Sequence, residues 1–320
     1  MTYTVRKYLL PESGQFYKAN LHCHSTFSDG RKTPSQLKEL YLGMGYSILA
    51  ITDHNVFVPH PELNDESFLA LHGTELEIIE PVDHPDFNLK KACHFCMIAL
   101  DPDISAIPSF KRWEYTADCL TDVMQTARSN GFFVTYNHPC WSRENYEQYT
   151  AYRGMHAMEM FNGGALTTGY GDYNPRVYDD ILTKGNRIYC VGSDDNHNVC
   201  PDPTSRKFDS GIAFTMIKAG SLDYPSVADA LLKGNFYASE GPQIHELWYE
   251  DGRVYVRCSE ADRINCFRRC RSDATVMAEK GQTLTEASFK INPGYGYFRI
   301  TVTDAHGRHA CTNAYLPDSL

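Results

Sequence analysis

The sequence predicts an α/β fold, either an α/β barrel or a doubly wound parallel sheet, followed by a small antiparallel β-domain. Short apolar or β-branched runs alternate with helical patterns over most of the chain. The alternation stops near Gly241, where short runs of mostly alternating polarity begin. At 320 residues the chain is long enough for a body of roughly 200 to 250 residues and a smaller module.

The first helix has clear boundary signals. The segment 33–45, TPSQLKELYLGMG, opens with a capping threonine and a proline in the first turn, and it ends on glycine. Helical patterns also cover 116–131, 174–186 and 225–235. Apolar or β-branched runs predict strands over 46–52, 69–78, 91–100, 132–137, 156–162 and 187–193. Strands that alternate with helices are typical of parallel pairing.

The pattern after residue 240 predicts an antiparallel domain. The runs 244–250 and 253–259 are joined by the turn Asp251-Gly252, which is a hairpin signal. Further runs follow at 263–269, 287–291, 297–303 and 309–316. We therefore expect a body over residues 1–240 and a β-domain over residues 241–320.

Composition and charge exclude several classes of protein. The apolar fraction of 42% and the charged fraction of 22% are those of a globular domain and argue against disorder. A formal charge of −10 argues against binding of nucleic acid beyond a nucleotide or a short oligonucleotide. The sequence has no apolar stretch of the length that a signal peptide or a membrane span needs, so we expect a cytoplasmic protein that does not bind membranes.

Ligand-type side chains lie in or just after the strand-like runs. The motif NLHCHSTFSDG, residues 20–30, contains two histidines one residue apart, and in an extended segment both side chains project to the same side. Similar residues recur in ITDHN, GTELEI, KACHFCMIAL, YNHPCW, HAMEMFN and GSDDNH. If these strands are parallel in a barrel, their carboxyl ends open onto one face, so these side chains are expected to converge there.

The residue types indicate a metal centre. Neutral imidazole suits zinc, iron or manganese, and a carboxylate can bridge two cations. Two or three close cations would activate a bridging hydroxide for attack at phosphorus, which predicts phosphoester hydrolysis. Hydrolysis of an amide or a carboxylic ester stays open as an alternative, because such a centre also polarises a carbonyl. A non-catalytic binding module that contains metal is the other alternative.

Simpler roles are expected for several of the polar residues. Isolated buried histidines are more often hydrogen-bonded core residues than ligands, so we expect seven to lie outside the site: His60, His72, His84, His156, His245, His306 and His309. Asp53 is expected to orient a ligand rather than to bind metal. Glu159 is undecided between the site and a turn, and Cys140 and Trp141 are expected in the pocket wall.

Six motifs resemble the PHP (polymerase and histidinol phosphatase) superfamily of metal-dependent phosphoesterases over about residues 18–240. They are NLHCHSTFSDG, ITDHN, GTELEI, the strand of His94, YNHPCW and GSDDNH, in that order. The tail is similar to the β-domain of stand-alone members labelled CehA/McbA-like. This resemblance implies a distorted (β/α)7 TIM-like barrel with up to three metal ions at its carboxyl end.

The resemblance also implies a ligand set. One ion would be held by His22, His24, Glu75 and Asp195. Glu75 would bridge to a second ion held by His94 and His138, and a third ion would be held by Asp29, His54 and His197. Asp29 stands where many members have histidine. The last motif of the family is an aspartate, one residue and then a histidine, and this spacing favours Asp195 over Asp194 as the ligand. Asp194 would then orient a ligand, although the sequence leaves open which of the two aspartates binds metal. The residues expected to take part in catalysis are His22, His24, Glu75, His138, Asp195 and His197.

We therefore expect a metal-dependent hydrolase with two or three divalent ions, manganese, zinc or iron. Its substrate is expected to be a small-molecule phosphate monoester or diester, hydrolysed through a metal-bridging hydroxide. Arg143, Arg176 and Arg206 lie near the motifs and are candidates to bind the substrate phosphate. The sequence makes no prediction of the oligomeric state.

Overall fold

The computed structural model describes residues 6–82, 86, 89–171, 173–271 and 273–320. Within these ranges the chain forms seventeen strands and seven α-helices. The strands are β1 Lys7–Tyr8, β2 Gln15–Asn20, β3 Ile48–Ile51, β4 Leu69–Ile79, β5 Ala92–Ala99, β6 Phe132–Tyr136, β7 Ala157–Asn162, β8 Tyr189–Ser193, β9 Phe214–Ala219, β10 Phe236–Ser239, β11 Ile244–Glu250, β12 Arg253–Ala261, β13 Arg263–Arg268, β14 Ala274–Met277, β15 Leu284–Lys290, β16 Phe298–Thr303 and β17 His309–Thr312. The helices are α1 Pro34–Gly43, α2 Ala117–Ser129, α3 Pro139–Ser142, α4 Tyr146–Tyr149, α5 Gly163–Thr167, α6 Pro175–Thr183 and α7 Tyr224–Lys233.

Two sheets contain all of these strands. The large sheet has thirteen strands in the order β14-β13-β16-β17-β10-β9-β2-β3-β4-β5-β6-β7-β8, and the small sheet has the order β1-β11-β12-β15. The predicted α/β class with an antiparallel region near the carboxyl terminus is therefore confirmed. Strands β2, β9, β10 and β14, which lie outside the predicted strand ranges, also belong to the large sheet.

The large sheet is mixed rather than parallel throughout. Strands β2, β3 and β4 pair in parallel, as do β6, β7 and β8. Strand β5 is antiparallel to both β4 and β6, and β9 is antiparallel to both β2 and β10. The prediction of parallel pairing was wrong for β5, which runs antiparallel to both of its neighbours, an arrangement that needs no helical crossover from β4.

Strands β8 and β9 lie side by side without a backbone ladder between them among the described residues. Thr215 Oγ1 instead accepts a hydrogen bond from Gly192 N at 3.1 Å and donates one to Gly192 O at 2.9 Å. A Cβ atom on Gly192 would lie 2.7 Å from Phe214 O, so this close approach requires glycine. The closed (β/α)7 barrel is not confirmed and stays a prediction.

Beyond their strands, the segments after β2 and β8 join through the backbone. Asp195 N donates to His22 O at 3.0 Å, and His24 N donates to Asn196 O at 3.1 Å. This pairing brings residues that are about 170 positions apart to one end of the sheet.

Helix α1 begins as its sequence predicts. Thr33 Oγ1 accepts from Gln36 N at 3.3 Å, and the Gln36 side chain accepts from Thr33 N at 2.9 Å, so two free amide groups of the first turn are satisfied. Leu37 and Tyr41 are buried on the face toward the sheet. The helix therefore fills the connection between β2 and β3, where a parallel pair requires a crossover.

The carboxyl-terminal strands extend the large sheet. Strand β10 pairs with β9 on one side and with β17 on the other. A buried cluster that includes Ile264, Phe298, Ile300 and Val302 packs beneath these strands.

The division of the chain at residues 240 and 241 stays a prediction. Within the described ranges, no helix is both long and apolar enough to span a membrane.

Candidate metal centre

All nine predicted metal ligands converge at one end of the large sheet. His22 and His24 follow β2, His54 follows β3, and His138 follows β6. Most of the other ligand-type residues also lie at strand ends, whereas Glu75 lies within β4. His94 is the third residue of β5. It reaches the same end of the sheet because this antiparallel strand begins where the parallel strands finish. The nine residues that contribute to closely spaced ligand groups are His22, His24, Asp29, His54, Glu75, His94, His138, Asp195 and His197.

The Glu75 carboxylate lies at the centre of the cluster. It is fully buried, and Asn137 Nδ2 donates to its Oε1 at 2.7 Å. Five imidazoles surround its two oxygens. Glu75 Oε1 lies 3.3 Å from His22 Nε2, 3.2 Å from His94 Nδ1 and 3.1 Å from His138 Nε2. Glu75 Oε2 lies 3.0 Å from His54 Nδ1 and 3.5 Å from His24 Nε2.

Three ligand atoms beside Glu75 form a nearly equilateral triangle. His22 Nε2 lies 3.1 Å from His24 Nε2 and 3.2 Å from Asp195 Oδ1, and the latter two atoms are 3.1 Å apart. Nitrogen and oxygen ligands lie about 2.0–2.2 Å from zinc, so two ligands of one ion at angles of about 90–110° are roughly 2.8–3.6 Å apart. These spacings therefore fit adjacent positions around one divalent ion.

The outer part of the cluster is wider and more open. Asp29 Oδ2 lies 3.4 Å from His197 Nε2 and 3.8 Å from His54 Nε2, and Asp29 Oδ1 lies 3.8 Å from His24 Nδ1. The Asp29 side chain is 55% exposed, whereas Glu75 is fully buried. A cation at this outer position would thus have the most contact with solvent.

Unpartnered polar atoms within the cluster support the fit to cations. Four buried atoms make no hydrogen bond of acceptable geometry among the described residues: His24 Nδ1, His54 Nδ1, His94 Nε2 and Glu75 Oε2. Two of them nevertheless lie close to each other, since His54 Nδ1 is 3.0 Å from Glu75 Oε2. A buried polar atom without a partner destabilises the fold unless another group satisfies it. Lone pairs on imidazole and carboxylate are what a divalent metal ion would take up.

Burial and the neighbouring carboxylates shift the pKa values of the histidines in opposite directions. Burial lowers the pKa of His24 to about 4 although Asp195 opposes that effect. Burial also acts to lower the pKa of His94, but Glu75 and Glu77 outweigh it and raise this pKa to about 9. Asp29 and Asp195 likewise outweigh burial and raise the pKa of His197 to about 9. A cation at the cluster would thus compete with protons for these nitrogens.

The two aspartates that were predicted to orient ligands accept hydrogen bonds from backbone amides and hydroxyl groups instead. Asp53 accepts from Ser25 N at 2.8 Å and from the Ser25 and Ser28 hydroxyls at 2.6 Å each, which holds the turn between His24 and Asp29. Asp194 accepts from three successive amides, those of residues 211–213, and from the Tyr41 hydroxyl at 2.9 Å. Neither carboxylate belongs to a closely spaced ligand group.

The cluster forms the floor of a cavity of about 650 Å³. Trp141 lies in its wall, with its ring centroid 5.3 Å from that of His94 and 4.9 Å from that of His138. Within the described ranges, Lys207 is the one lysine or arginine that lines the cavity. Cys140 is not among the lining residues.

The three predicted phosphate-binding arginines do not line this cavity. Arg176 pairs with Asp180 at 3.0 Å, and its side chain is 85% exposed. The Arg143 guanidinium lies 6.0 Å from the centroid of the Tyr170 ring. Arg206 is exposed beside Lys207. Lys207 was not singled out from the sequence, because only the folded chain brings it to the cavity wall.

Two carboxylates near the cluster were also missed or undecided. Glu77 Oε2 lies 3.4 Å from His94 Nε2, and Glu77 lines the cavity. The alternation of a strand could have indicated this, because residues two apart project to the same face as Glu75. Glu159 is fully buried in β7, and its carboxylate accepts from His22 Nδ1 at 2.8 Å.

The histidines expected outside the site lie outside the closely spaced ligand groups where they are described: His60, His72, His156, His245, His306 and His309. His84 lies outside the described residues. His156 Nδ1 accepts from Val134 N at 3.1 Å, and its ring stacks on Phe133, so it is a hydrogen-bonded core residue as expected.

The chain was compared with family models, with curated proteins and with solved structures. No family model matches the chain, and no curated protein matches it. A two-domain protein from Bacteroides vulgatus ATCC 8482, described as containing a predicted PHP-like metal-dependent phosphoesterase, is 18% identical, with a TM-score of 0.49 over 93% of this chain and 94% of that chain. A candidate metal-dependent phosphoesterase from Bifidobacterium adolescentis ATCC 15703 is 18% identical, with a TM-score of 0.38 over 61% of this chain and 91% of that chain.

An amidohydrolase from Chromobacterium violaceum with bound sulfate and no metal is 15% identical, with a TM-score of 0.34 over 56% of this chain and 87% of that chain. Two of these solved structures are thus described as metal-dependent phosphoesterases or as containing one, and the third is described as an amidohydrolase.

Proposed function

We propose that the protein is a metal-dependent phosphoesterase that hydrolyses a small-molecule phosphate monoester or diester. The observation that supports this proposal is the convergence of nine ligand-type side chains, with Glu75 among them at the centre and with spacings that fit more than one divalent ion. A site that binds one ion for structure alone needs about four ligands. The larger set favours a catalytic centre with two or three ions.

The ligand groups suggest how those ions would be held. His22, His24 and Asp195 would hold the first ion, with Glu75 beside them. Glu75 would be shared with a second ion, for which His138 and His94 are available. The outer group would hold the third ion: Asp29, His54 and His197, with His24 nearby. Manganese, zinc and iron all accept this mixture of imidazole and carboxylate.

Divalent cations held there would lower the pKa of a water molecule and offset negative charge on the phosphoryl group. Trp141 would limit rotation of the two imidazoles that it contacts and keep water from that wall. Asp209 accepts from His197 N at 2.8 Å and from Asn198 N at 2.9 Å, so it holds the turn that positions His197. Lys207 would attract the substrate phosphate at the cavity wall.

The cavity also bears on the class of substrate. A volume of about 650 Å³ is within the usual range for pockets that bind small molecules. One lysine in its wall and a net charge of −10 do not suit a long phosphate backbone. We therefore propose a small phosphoester, with a nucleotide or a short oligonucleotide as the upper limit.

Elemental analysis of the purified protein followed by a substrate panel tests the proposal. The panel consists of aryl phosphate monoesters, diesters and triesters, together with an aryl carboxylic ester and an anilide, each with the metal identified. The double variant His22→Ala/His24→Ala should lose activity, and His245→Ala, an exposed histidine on β11, should retain it. Turnover of the carboxylic ester or anilide alone would support the alternative hydrolase. Equal rates in wild type and double variant would refute a metal-dependent site here.

A further inference from the structure

A fully buried carboxylate behind the ligand cluster contacts two of the predicted ligands. Glu159 lies in β7, and its Oε1 accepts a hydrogen bond from His22 Nδ1 at 2.8 Å. Its Oε2 accepts from the backbone N of His138 at 2.8 Å and from Asn162 Nδ2 at 2.7 Å. These three donors come from His22 after β2, from His138 after β6 and from the end of β7 itself.

The contact with His22 determines which ring nitrogen faces the cluster. A carboxylate oxygen accepts hydrogen bonds, so an imidazole that binds a metal ion through Nε2 would donate its Nδ1 proton to Glu159. The lone pair is then on Nε2, which lies 3.1 Å from His24 Nε2 and 3.2 Å from Asp195 Oδ1. A carboxylate that accepts from the far nitrogen of a ligand histidine fixes its orientation and raises its basicity.

The contact with His138 holds an unusual backbone conformation. His138 has φ 25° and ψ 60°, a left-handed conformation that residues other than glycine rarely adopt. Its amide donates to Glu159, and its Nε2 lies 3.1 Å from Glu75 Oε1. The hydrogen bond therefore acts on the backbone that directs this imidazole toward Glu75.

Asn162 extends the same network to a third predicted ligand. Its Nδ2 lies 2.7 Å from Glu159 Oε2 and 3.2 Å from Asp195 Oδ2. Asp195 also has a positive φ, of 51°. One carboxylate and one amide thus connect His22, His138 and Asp195, which come from three separate strand ends.

We infer that Glu159 is a positioning residue of the metal centre, which sets the tautomer of His22 and holds the backbone of His138. The inference rests on the proposed function, because it requires that His22 and His138 bind metal. Glu159 does not belong to a closely spaced ligand group. Its effect would be exerted through the ligands that it contacts.

The test compares Glu159→Gln with Glu144→Gln in the full-length protein. Glu144 is also a buried carboxylate with three side-chain donors, the hydroxyls of Tyr115, Tyr136 and Tyr152, but it does not belong to the ligand groups. The affinities for Mn²⁺ and Co²⁺ are measured by competition with a chelator, and the visible spectrum of the Co²⁺ form is recorded. Loss of one buried carboxylate is common to both variants.

We expect Glu159→Gln to lower metal affinity about 10- to 100-fold and to change the Co²⁺ spectrum. Glu144→Gln should keep the wild-type spectrum and a metal affinity within about twofold of wild type. Such losses of affinity require that a hydrogen-bond partner of a metal ligand is removed, and Glu144 accepts from tyrosine hydroxyls. Glu159→Asp should recover part of the affinity, because it keeps a charge that can accept from His22.

Wild-type affinity and spectrum in Glu159→Gln would overturn the inference and leave the proposed function standing. Absence of any Mn²⁺ or Co²⁺ binding by the wild type would overturn both. If Glu159→Gln does not fold, Glu159→Asp takes its place, because it keeps the charge but shortens the reach of the carboxylate to His22 Nδ1 and His138 N. Unchanged affinity and spectrum in Glu159→Asp would then overturn the inference, and a loss of at least about threefold would support it.

Discussion

Replacing Asp179 by asparagine should leave a buried guanidinium without its counter-charge. Asp179 lies on α6, and its carboxylate accepts from Arg299 Nε at 2.9 Å and from Arg299 Nη2 at 2.8 Å. Arg299 lies on β16 and is 1% exposed, so water cannot readily replace the lost partner. Its other contacts include a hydrogen bond to Thr301 Oγ1 and the ring of Phe267. The pair connects a helix before residue 240 with a strand after it.

The magnitude follows from this burial. Removal of one partner of a buried ion pair costs about 3–5 kcal/mol. The Asp179 side chain is 30% exposed and asparagine keeps one acceptor oxygen, so we expect the lower end, about 3 kcal/mol. An unfolding entropy of about 2.1 cal/mol/K per residue is roughly 0.7 kcal/mol/K for 320 residues. The melting temperature should therefore fall by about 4–5 °C.

Thermal unfolding followed by circular dichroism and calorimetry checks this prediction. The matched control is Asp229→Asn on α7, which removes an exposed pair with Lys233 that is worth about 0.3–0.5 kcal/mol and should shift Tm by less than about 1 °C. A double-mutant cycle with Arg299→Met isolates the coupling between the two side chains. The reasoning fails if Asp179→Asn shifts Tm no more than Asp229→Asn does, or if the cycle gives no coupling.

Three further predictions concern metal, pH and substrate. Dialysis against a chelator should abolish phosphoesterase activity and lower Tm by about 6 °C, the effect of an ion present at 1,000 times its Kd, and added Mn²⁺ should restore both; chelator-resistant turnover would contradict the proposal. Burial, with a smaller effect of Arg128, lowers the pKa of His156 to about 4, below its unfolded value of about 6.5, so its contribution is present above pH 6.5 and is lost as the pH falls. The free energy of unfolding should thus fall by about 2 kcal/mol more between pH 7 and pH 5 in wild type than in His156→Asn; equal falls in chemical denaturation would rule this out. Lys207→Ala should raise KM about 10-fold with little change in kcat, and Lys207→Arg should not; a loss confined to kcat would show that Lys207 does not act in binding.

Most residues of the candidate site could be predicted from the sequence. Its ligand-type residues lie in or just after strand-like runs, and parallel strands bring their carboxyl ends together whatever lies between them along the chain. His22 and His24 after β2, His54 after β3 and His138 after β6 follow this rule. The direction of β5 could not be predicted from the sequence, because the residue pattern of a strand does not show whether it pairs in parallel or antiparallel with its neighbours. His94 reaches the site only because β5 runs opposite to its neighbours.

Contacts between side chains distant in sequence were harder to predict. Asp53 and Asp194 have the chemistry of residues that orient an imidazole, yet they accept from backbone amides and hydroxyls, since the turns beside them bring those donors closer. Arg143 and Arg176 have the charge for a phosphate but turn toward a tyrosine ring and an aspartate. Such choices depend on rotamers and neighbours that a linear pattern does not contain.

The sequence by itself determined the α/β class, the boundaries of helices such as α1 and the set of nine ligand-type side chains that includes Glu75, because periodicity, capping and ligand chemistry are local properties. Only the tertiary structure decided the mixed direction of the large sheet, the side-chain contact of Thr215 between β8 and β9, and the burial of Glu159 behind His22 and His138. These features depend on which distant segments become neighbours. That outcome is set by packing of the whole chain, in which each strand end is positioned by the strands on both sides of it.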